Sequence, residues 1–288
     1  MNFKFKSKPE RVSFEPKGHT YTNGKGQKYT SVTTLISEYY KPFDSDYWST
    51  YKACKDVMEN ARIWSRYKEA AGGWTGVVEY FERNRQNLDQ QLQNQINAKK
   101  QDYIAKWDYE REHAAALGTK QHNDLESLVL SHKKIDLGKR RIARVSPADL
   151  LDLQGFYGEG NGLYPELLLW NDQFRLAGQA DIVEKIGKEV HIKDYKTSKK
   201  IEFEPFMGTM MLEPVEELPD TNYSKFTLQL STYGWMLEQI GYRVTGLTVI
   251  HINRETGDEI DQYPLAYRKD LVIKMLEDHD SKGIRVAD

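Results

Sequence analysis

Hydrophobic and polar positions alternate with a period of two along residues 176–186 and again along residues 189–197. Gly187-Lys188 stands between them and suits a two-residue hairpin turn with glycine at its first central position. A second alternating stretch runs from Val12 through Phe14, turns at Asn23-Gly24-Lys25-Gly26 and resumes from Tyr29 to Leu35, which predicts a short hairpin leading into a helix. A third covers Val244–Asn253 and Glu259–Pro264, flanking Thr256-Gly257 as another hairpin. Between these lie helical periodicities. From about Asp46 to Ala116 the pattern is helical, broken by Gly72-Gly73. Within it, Leu88, Leu92, Ile96, Tyr103, Ile104 and Trp107 recur at helical intervals across Glu79–Ala116, as one long helix or two with a sparse apolar stripe. A helix is expected from Phe226 to Gln239, stopped by Gly241, and another from Tyr267 to Asp280. No internal repeat is apparent.

The first hairpin carries the chemistry. If Ile186 faces Glu189 across the turn, counting back sets Asp181 directly opposite Asp194. Asp194 shares a face with Val190, Ile192 and Lys196, so acids and a lysine project from the apolar side of a strand pair. Like charges at that separation repel, and the pair is relieved by sharing a proton or by holding a hard cation such as Mg²⁺. A lysine two residues on adds a fixed positive charge for a developing oxyanion. A solvated hairpin with cross-strand acids is the plainer alternative.

Gly178-Gln-Ala-Asp181 followed by Asp194-Tyr-Lys196-Thr197 resembles the core of the PD-(D/E)XK nucleases, in particular the RecB-like exonuclease branch. Three further signatures of that branch occur in order. His122 matches a Gly-x-x-x-His helix in Gly118–His122, Glu166 matches an acid opening the strand before the hairpin, and Gln229 with Tyr233 matches Gln-x-x-x-Tyr on a following helix. The resemblance implies an α/β (α+β) fold with a restriction-endonuclease-like core at 118–288: a mixed sheet flanked by helices. It implies that residues 1–117 are an N-terminal hairpin and helical subdomain, of the kind that gates DNA. It further implies Mg²⁺ or Mn²⁺ held by Asp181, Asp194, His122 and Glu166. Catalysis would fall to Asp181, Asp194 and Lys196, with Gln229 and Tyr233 positioning the lysine or a phosphate.

The residues alone leave room beside that picture. His122 and Glu126 share a helix face that Thr119 could cap, where a histidine is as readily an exposed hydrogen-bonded residue. Glu166 equally suits a solvent-facing strand end, and Gln229 and Tyr233 suit ordinary hydrogen bonds on a half-buried helix. The activity that the resemblance implies is metal-dependent, exonucleolytic hydrolysis of DNA, single-stranded or at duplex ends, in replication, recombination or repair, with protein partners in replication or recombination. A structure- or sequence-specific endonuclease, or a non-catalytic nucleic-acid or protein-binding module, is the alternative on the same core.

Composition narrows this little. The chain has 288 residues, 39% hydrophobic, with 6 Trp, 18 Tyr and 10 Phe to build a core. Its one cysteine, Cys54, excludes an intrachain disulfide and a four-cysteine iron–sulfur cluster, and fits a reducing cytosol in a bacterial or phage-infected cell. No run approaches the ~20 apolar residues that span a bilayer, so no membrane partner is expected. A net charge of −2 argues against indiscriminate coating of nucleic acid. Basic groups do cluster, as Lys139-Arg140-Arg141 with Arg144, and as Lys193, Lys196, Lys199 and Lys200. Lys99, Lys100 and Lys106 of the helical part are further candidates for phosphate contacts. Tyr47, Trp48, Trp64 and Tyr67, with Arg62 and Arg66 among them, read as core more than as stacking platforms.

Overall fold

The computed structural model describes residues 12–15, 18–130, 160–253, 255–256 and 258–283; the side chains of residues 122, 123 and 125–130 fall outside that description, as does the basic run 139–144. The chain divides into two compact units, Pro42–Ala116 and the combination of Met1–Lys41 with Leu117–Asp288. The first 41 residues therefore group with the sheet-bearing unit, where the sequence reading set them with the helices.

The reason is a strand pairing. In the sheet-bearing unit, β1 (Val12–Glu15), β2 (Thr20–Asn23) and β3 (Lys28–Ser31) form a meander, and α1 (Val32–Ser37) follows at once. Ser31 caps α1, its hydroxyl accepting from the Thr34 amide. The β3 strand then pairs in parallel with β5 (Leu176–Ile186), through Thr30 with Leu176 and Ser31 with Ala177. Such a long-range pairing leaves no local mark in sequence.

The smaller unit contains α2 (Ser45–Asn60), α3 (Trp64–Tyr67), α4 (Val77–Asn84) and the first part of α5 (Gln90–Leu130). Glu79–Ala116 is thus two helices, separated by a tight turn at Arg85–Asn87. Their stripes meet in a core of Ala53, Cys54, Met58, Val77, Phe81, Leu92 and Ile96. Tyr47, Trp64 and Tyr67 pack against it, and Trp64 stacks on Trp74 with ring centroids 3.7 Å apart. Lys100 is ion-paired with Asp46 at 2.7 Å, its side chain 15% exposed.

The sheet is mixed and eight-stranded, in the order β1-β2-β3-β5-β6-β7-β8, with β4 (Gly162–Asn171) on the other edge of β5. Here β6 is Glu189–Lys196, β7 Arg243–Ile252 and β8 Glu259–Pro264. The β6–β7 pair is parallel and β7–β8 antiparallel. The remaining helices of this unit are α6 (Asn222–Gln239) and α7 (Lys269–Ser281). Helix α6 starts four residues earlier than expected because Thr221 caps it, accepting from the Ser224 amide. It ends at Gly241, whose φ of +91° suits glycine. Leu228, Leu230, Met236 and Leu237 of α6 join Val190 and Ile192 of β6 and Leu271 and Met275 of α7 in one core. Each such side chain contributes roughly 1.5–3 kcal/mol by burial. Among the described residues no helix is long and apolar enough to cross a membrane.

Candidate active site

The hairpin turn has the expected form: Gly187 has φ +59°, and Ile186 pairs with Glu189. The ladder continues to Ile182 with Lys193 and then opens. One step further along the same register stand Asp181 and Asp194. There the Asp181 carboxylate accepts the Tyr195 backbone N–H at 2.8 Å, in place of a strand-to-strand bond. Beyond this point β6 stays paired with β7, through Asp194 with Val249 and Lys196 with His251. On the same edge, β5 has β3 beside Leu176 and Ala177. The acids thus lie in the fork where β5 exchanges one neighbour for another.

Asp194 is 1% exposed, and among the described residues no backbone N–H or neutral side chain donates to its carboxylate. Its charge is met by the Lys196 ammonium at 2.6 Å. Lys196 is held from three sides. Its Nζ donates to Gln229 Oε1 at 3.2 Å and lies 4.9 Å from the Phe226 ring centre, in addition to the Asp194 contact. Gln229 is fixed in turn, its amide donating to the Tyr233 hydroxyl at 3.3 Å. Burial alone would lower the lysine's pKa; Asp194 and Asp181 outweigh it and hold the ammonium above the ordinary lysine range. The Tyr233 hydroxyl is driven up chiefly by burial, so it remains protonated.

Glu166 falls opposite Asp181 on the other side of β5, between the pairs Pro165 with Ile182 and Leu167 with Ala180. Its φ is +47°, a left-handed conformation that costs a non-glycine residue roughly 1–2 kcal/mol. Burial, with Glu166 adding to it, pushes the Tyr21 hydroxyl up to about 12. His122 lies on α5, and its side chain is outside the described ones. Thr119 does not cap that helix, since α5 runs unbroken through it. The packing of Gly118 against Thr197, 3.2 Å from a Cβ built there to Oγ1, brings this stretch of α5 beside the end of β6.

Asp181, Asp194, Lys196, Gln229 and Tyr233 therefore converge, and Glu166 stands across β5 from them. Lys193 does not join them. It projects from the opposite face, buried, with Nζ 2.9 Å from Glu184. Sequence reasoning missed Phe226 and Tyr21. Phe226 precedes Gln229 by three residues, so helical spacing alone could have flagged it. For Tyr21 no local signal exists.

Among the described residues no group of three or more His, Cys, Asp or Glu side chains stands ready for a metal. The described donors do fit a hard divalent ion in another way. Mg²⁺ commonly takes only one or two carboxylates and fills its shell with water and substrate phosphate oxygens. Asp194, buried with only the Lys196 ammonium on its oxygens among the described residues, beside Asp181, is a donor set of that kind. No protein-family model matches the chain, and no curated protein matches it.

Proposed function

We propose that this chain is a Mg²⁺- or Mn²⁺-dependent deoxyribonuclease built on a PD-(D/E)XK core, acting exonucleolytically at DNA ends. The observation that carries the reading is Asp194: a buried carboxylate whose one partner among the described residues is the ammonium of Lys196, which a glutamine and an aromatic ring hold in place. A purely structural acid buried this deeply would be expected to have further donors besides one lysine, because oxygens left unmet cost free energy. The left-handed Glu166 beside Asp181 supports the same reading, since backbone strain of this kind clusters at functional sites.

Asp181 and Asp194 would hold the ion, with His122 and Glu166 as the further ligands that the resemblance implies. When bound, the ion supplies a Lewis acid and a water of lowered pKa. The protein's own groups do the remainder. Lys196 donates from Nζ to a non-bridging phosphate oxygen as negative charge builds there. Gln229 and Tyr233 keep that ammonium from turning away. Water adds to phosphorus and gives up one proton, the P–O ester bond breaks, and the departing oxygen takes up one proton, so that none is gained or lost overall. The preference for ends rests on the likeness to the RecB-like branch.

The test uses end-labelled linear and closed-circular DNA, single- and double-stranded, with Mg²⁺ or with excess chelator. Progressive loss of linear DNA in Mg²⁺ alone is the expected result. Rapid nicking of the closed single-stranded circle would replace the exonuclease with an endonuclease. No cleavage of any substrate in Mg²⁺ or Mn²⁺ would remove the enzyme reading altogether.

A further inference from the structure

We infer that the segment Lys199–Met210, which leaves the candidate active site at the end of β6, is a base-stacking platform for the single strand of nucleic acid being cleaved. This rests on the nuclease reading above. The segment presents large apolar side chains to solvent: Phe203 is 50% exposed, Phe206 65%, Met207 71% and Met210 47%. Clustered exposed apolar groups of this size usually mark a binding surface.

The presentation is built, not slack. Asp220 N–H donates to Thr209 O at 3.0 Å and Met211 N–H to Leu218 O at 3.0 Å, closing the far end of the loop. At its root, Asn222 grips the incoming limb twice, accepting from Glu202 N–H at 2.7 Å and donating to Lys200 O at 2.9 Å. Apolar side chains on a backbone fixed in advance bind with less entropy left to lose.

The root of the platform, at Phe203, is continuous with the candidate site. Phe203 lies 4.8 Å from Tyr223 and 5.7 Å from Tyr263, ring centre to ring centre. Tyr223 precedes Phe226 by three residues of α6, about 4.5 Å of helix. Phe226 is the ring beside Lys196 Nζ. A strand whose phosphate meets Lys196 therefore has an aromatic row leading away from it.

Charge suits a base face better than a charged side chain. Lys199–Met210 carries two lysines (Lys199, Lys200) and two glutamates (Glu202, Glu204), so it is neutral overall, and Lys200 offsets Glu202 at 3.0 Å. The tip itself, Pro205 to Met210, carries no charge. Base faces are uncharged and stack on aromatic and apolar side chains without regard to sequence.

The experiment compares wild type with Phe206→Ala/Met207→Ala. Anisotropy of a fluorescein-labelled 20-nucleotide oligo(dT), measured in chelator, gives Kd; cleavage in Mg²⁺ gives KM and kcat. Loss of base stacking should weaken binding roughly five- to a hundredfold. KM should rise in parallel while kcat changes less than twofold, because the tip does not reach the reacting phosphate. Phe206→Trp, which keeps a ring, should hold Kd within about twofold and guards against a general loss of fold. Equal Kd and KM in wild type and the double variant would overturn the platform and assign the patch to a protein partner, with the nuclease reading intact. Weakened binding by the double variant, in a chain whose wild type cleaves nothing, would support the platform and sink the nuclease reading.

Discussion

Tyr233 lies so close to Gly178 that a Cβ on the glycine would stand 2.7 Å from Cε1 of the tyrosine and 3.0 Å from its hydroxyl oxygen, with Val32 Cγ2 only 3.2 Å away. The ring thus rests on bare backbone of β5 three residues before Asp181. Gly178→Ala should cost about 1–3 kcal/mol, the usual penalty of overpacking. In a Tyr233→Ala background the same change should cost far less. Urea unfolding of the four proteins in that cycle reads the coupling. A cost for Gly178→Ala that is the same in both backgrounds would mean that the contact is not what constrains the glycine.

The acid pair can be read without turnover. Mg²⁺ binding to the native state should raise Tm with concentration, since a ligand that binds only the folded protein stabilises it by mass action. Asp194→Asn should abolish that rise and the cleavage together. Asp181→Asn should abolish cleavage as well, with the double variant little worse than either single change, because the two carboxylates act as one unit. A Mg²⁺-dependent Tm rise that survives Asp194→Asn would place the ion elsewhere.

Lys196→Met separates charge from ligation. Metal-dependent stabilisation should persist, while cleavage falls on the order of hundredfold or more, the loss typical of a contact to developing charge. Loss of the metal response in this variant would make the lysine structural.

The same ammonium has a pH signature. Its folded pKa is raised above the ordinary lysine value of 10.5 by Asp194 and Asp181, against the pull of burial. A base whose pKa is raised on folding contributes stability that is fully present below the unfolded pKa and is lost as pH rises through the folded one. The stability difference between wild type and Lys196→Met should therefore be flat from about pH 7 to 9 and shrink above about pH 10. Denaturant midpoints across that range decide it; a difference that grows with pH would reverse the assignment of the shift.

Cys54 is fully buried in the helical unit, and burial above all pushes its thiol up to about 12. A thiol reagent at pH 8 should therefore react on the timescale of opening of that unit, and at once in denaturant. Fast labelling of the native chain would show that the helical core opens readily.

What the sequence disclosed depended on range. The turn at Gly187-Lys188 and its alternating flanks settle the hairpin register within a few residues, so Asp181 and Asp194 could be set together by counting. Gln229 and Tyr233 needed only helical spacing. Lys193 was misplaced because proximity along the chain was weighed above the alternation that turns it toward Glu184. The conformation of Glu166 and the approach of Tyr21 depend on strands far apart in sequence, and no local pattern encodes them. Nor could Thr119 be recognised as mid-helix, since a good capping residue is tolerated inside a helix that tertiary packing continues.

The parallel pairing of Thr30 with Leu176 also sets a timetable. Roughly 150 residues must leave the ribosome between the two partners, which at about 5–20 residues per second is about 7–30 s of synthesis. Through that interval the edge of β3 that will meet β5 has no strand beside it, while the intervening helices can complete a core from contiguous chain. An open strand edge of this kind recruits other strands. Yield in the cell should therefore respond to translation speed and to chaperone supply more than the stability of the finished protein would suggest.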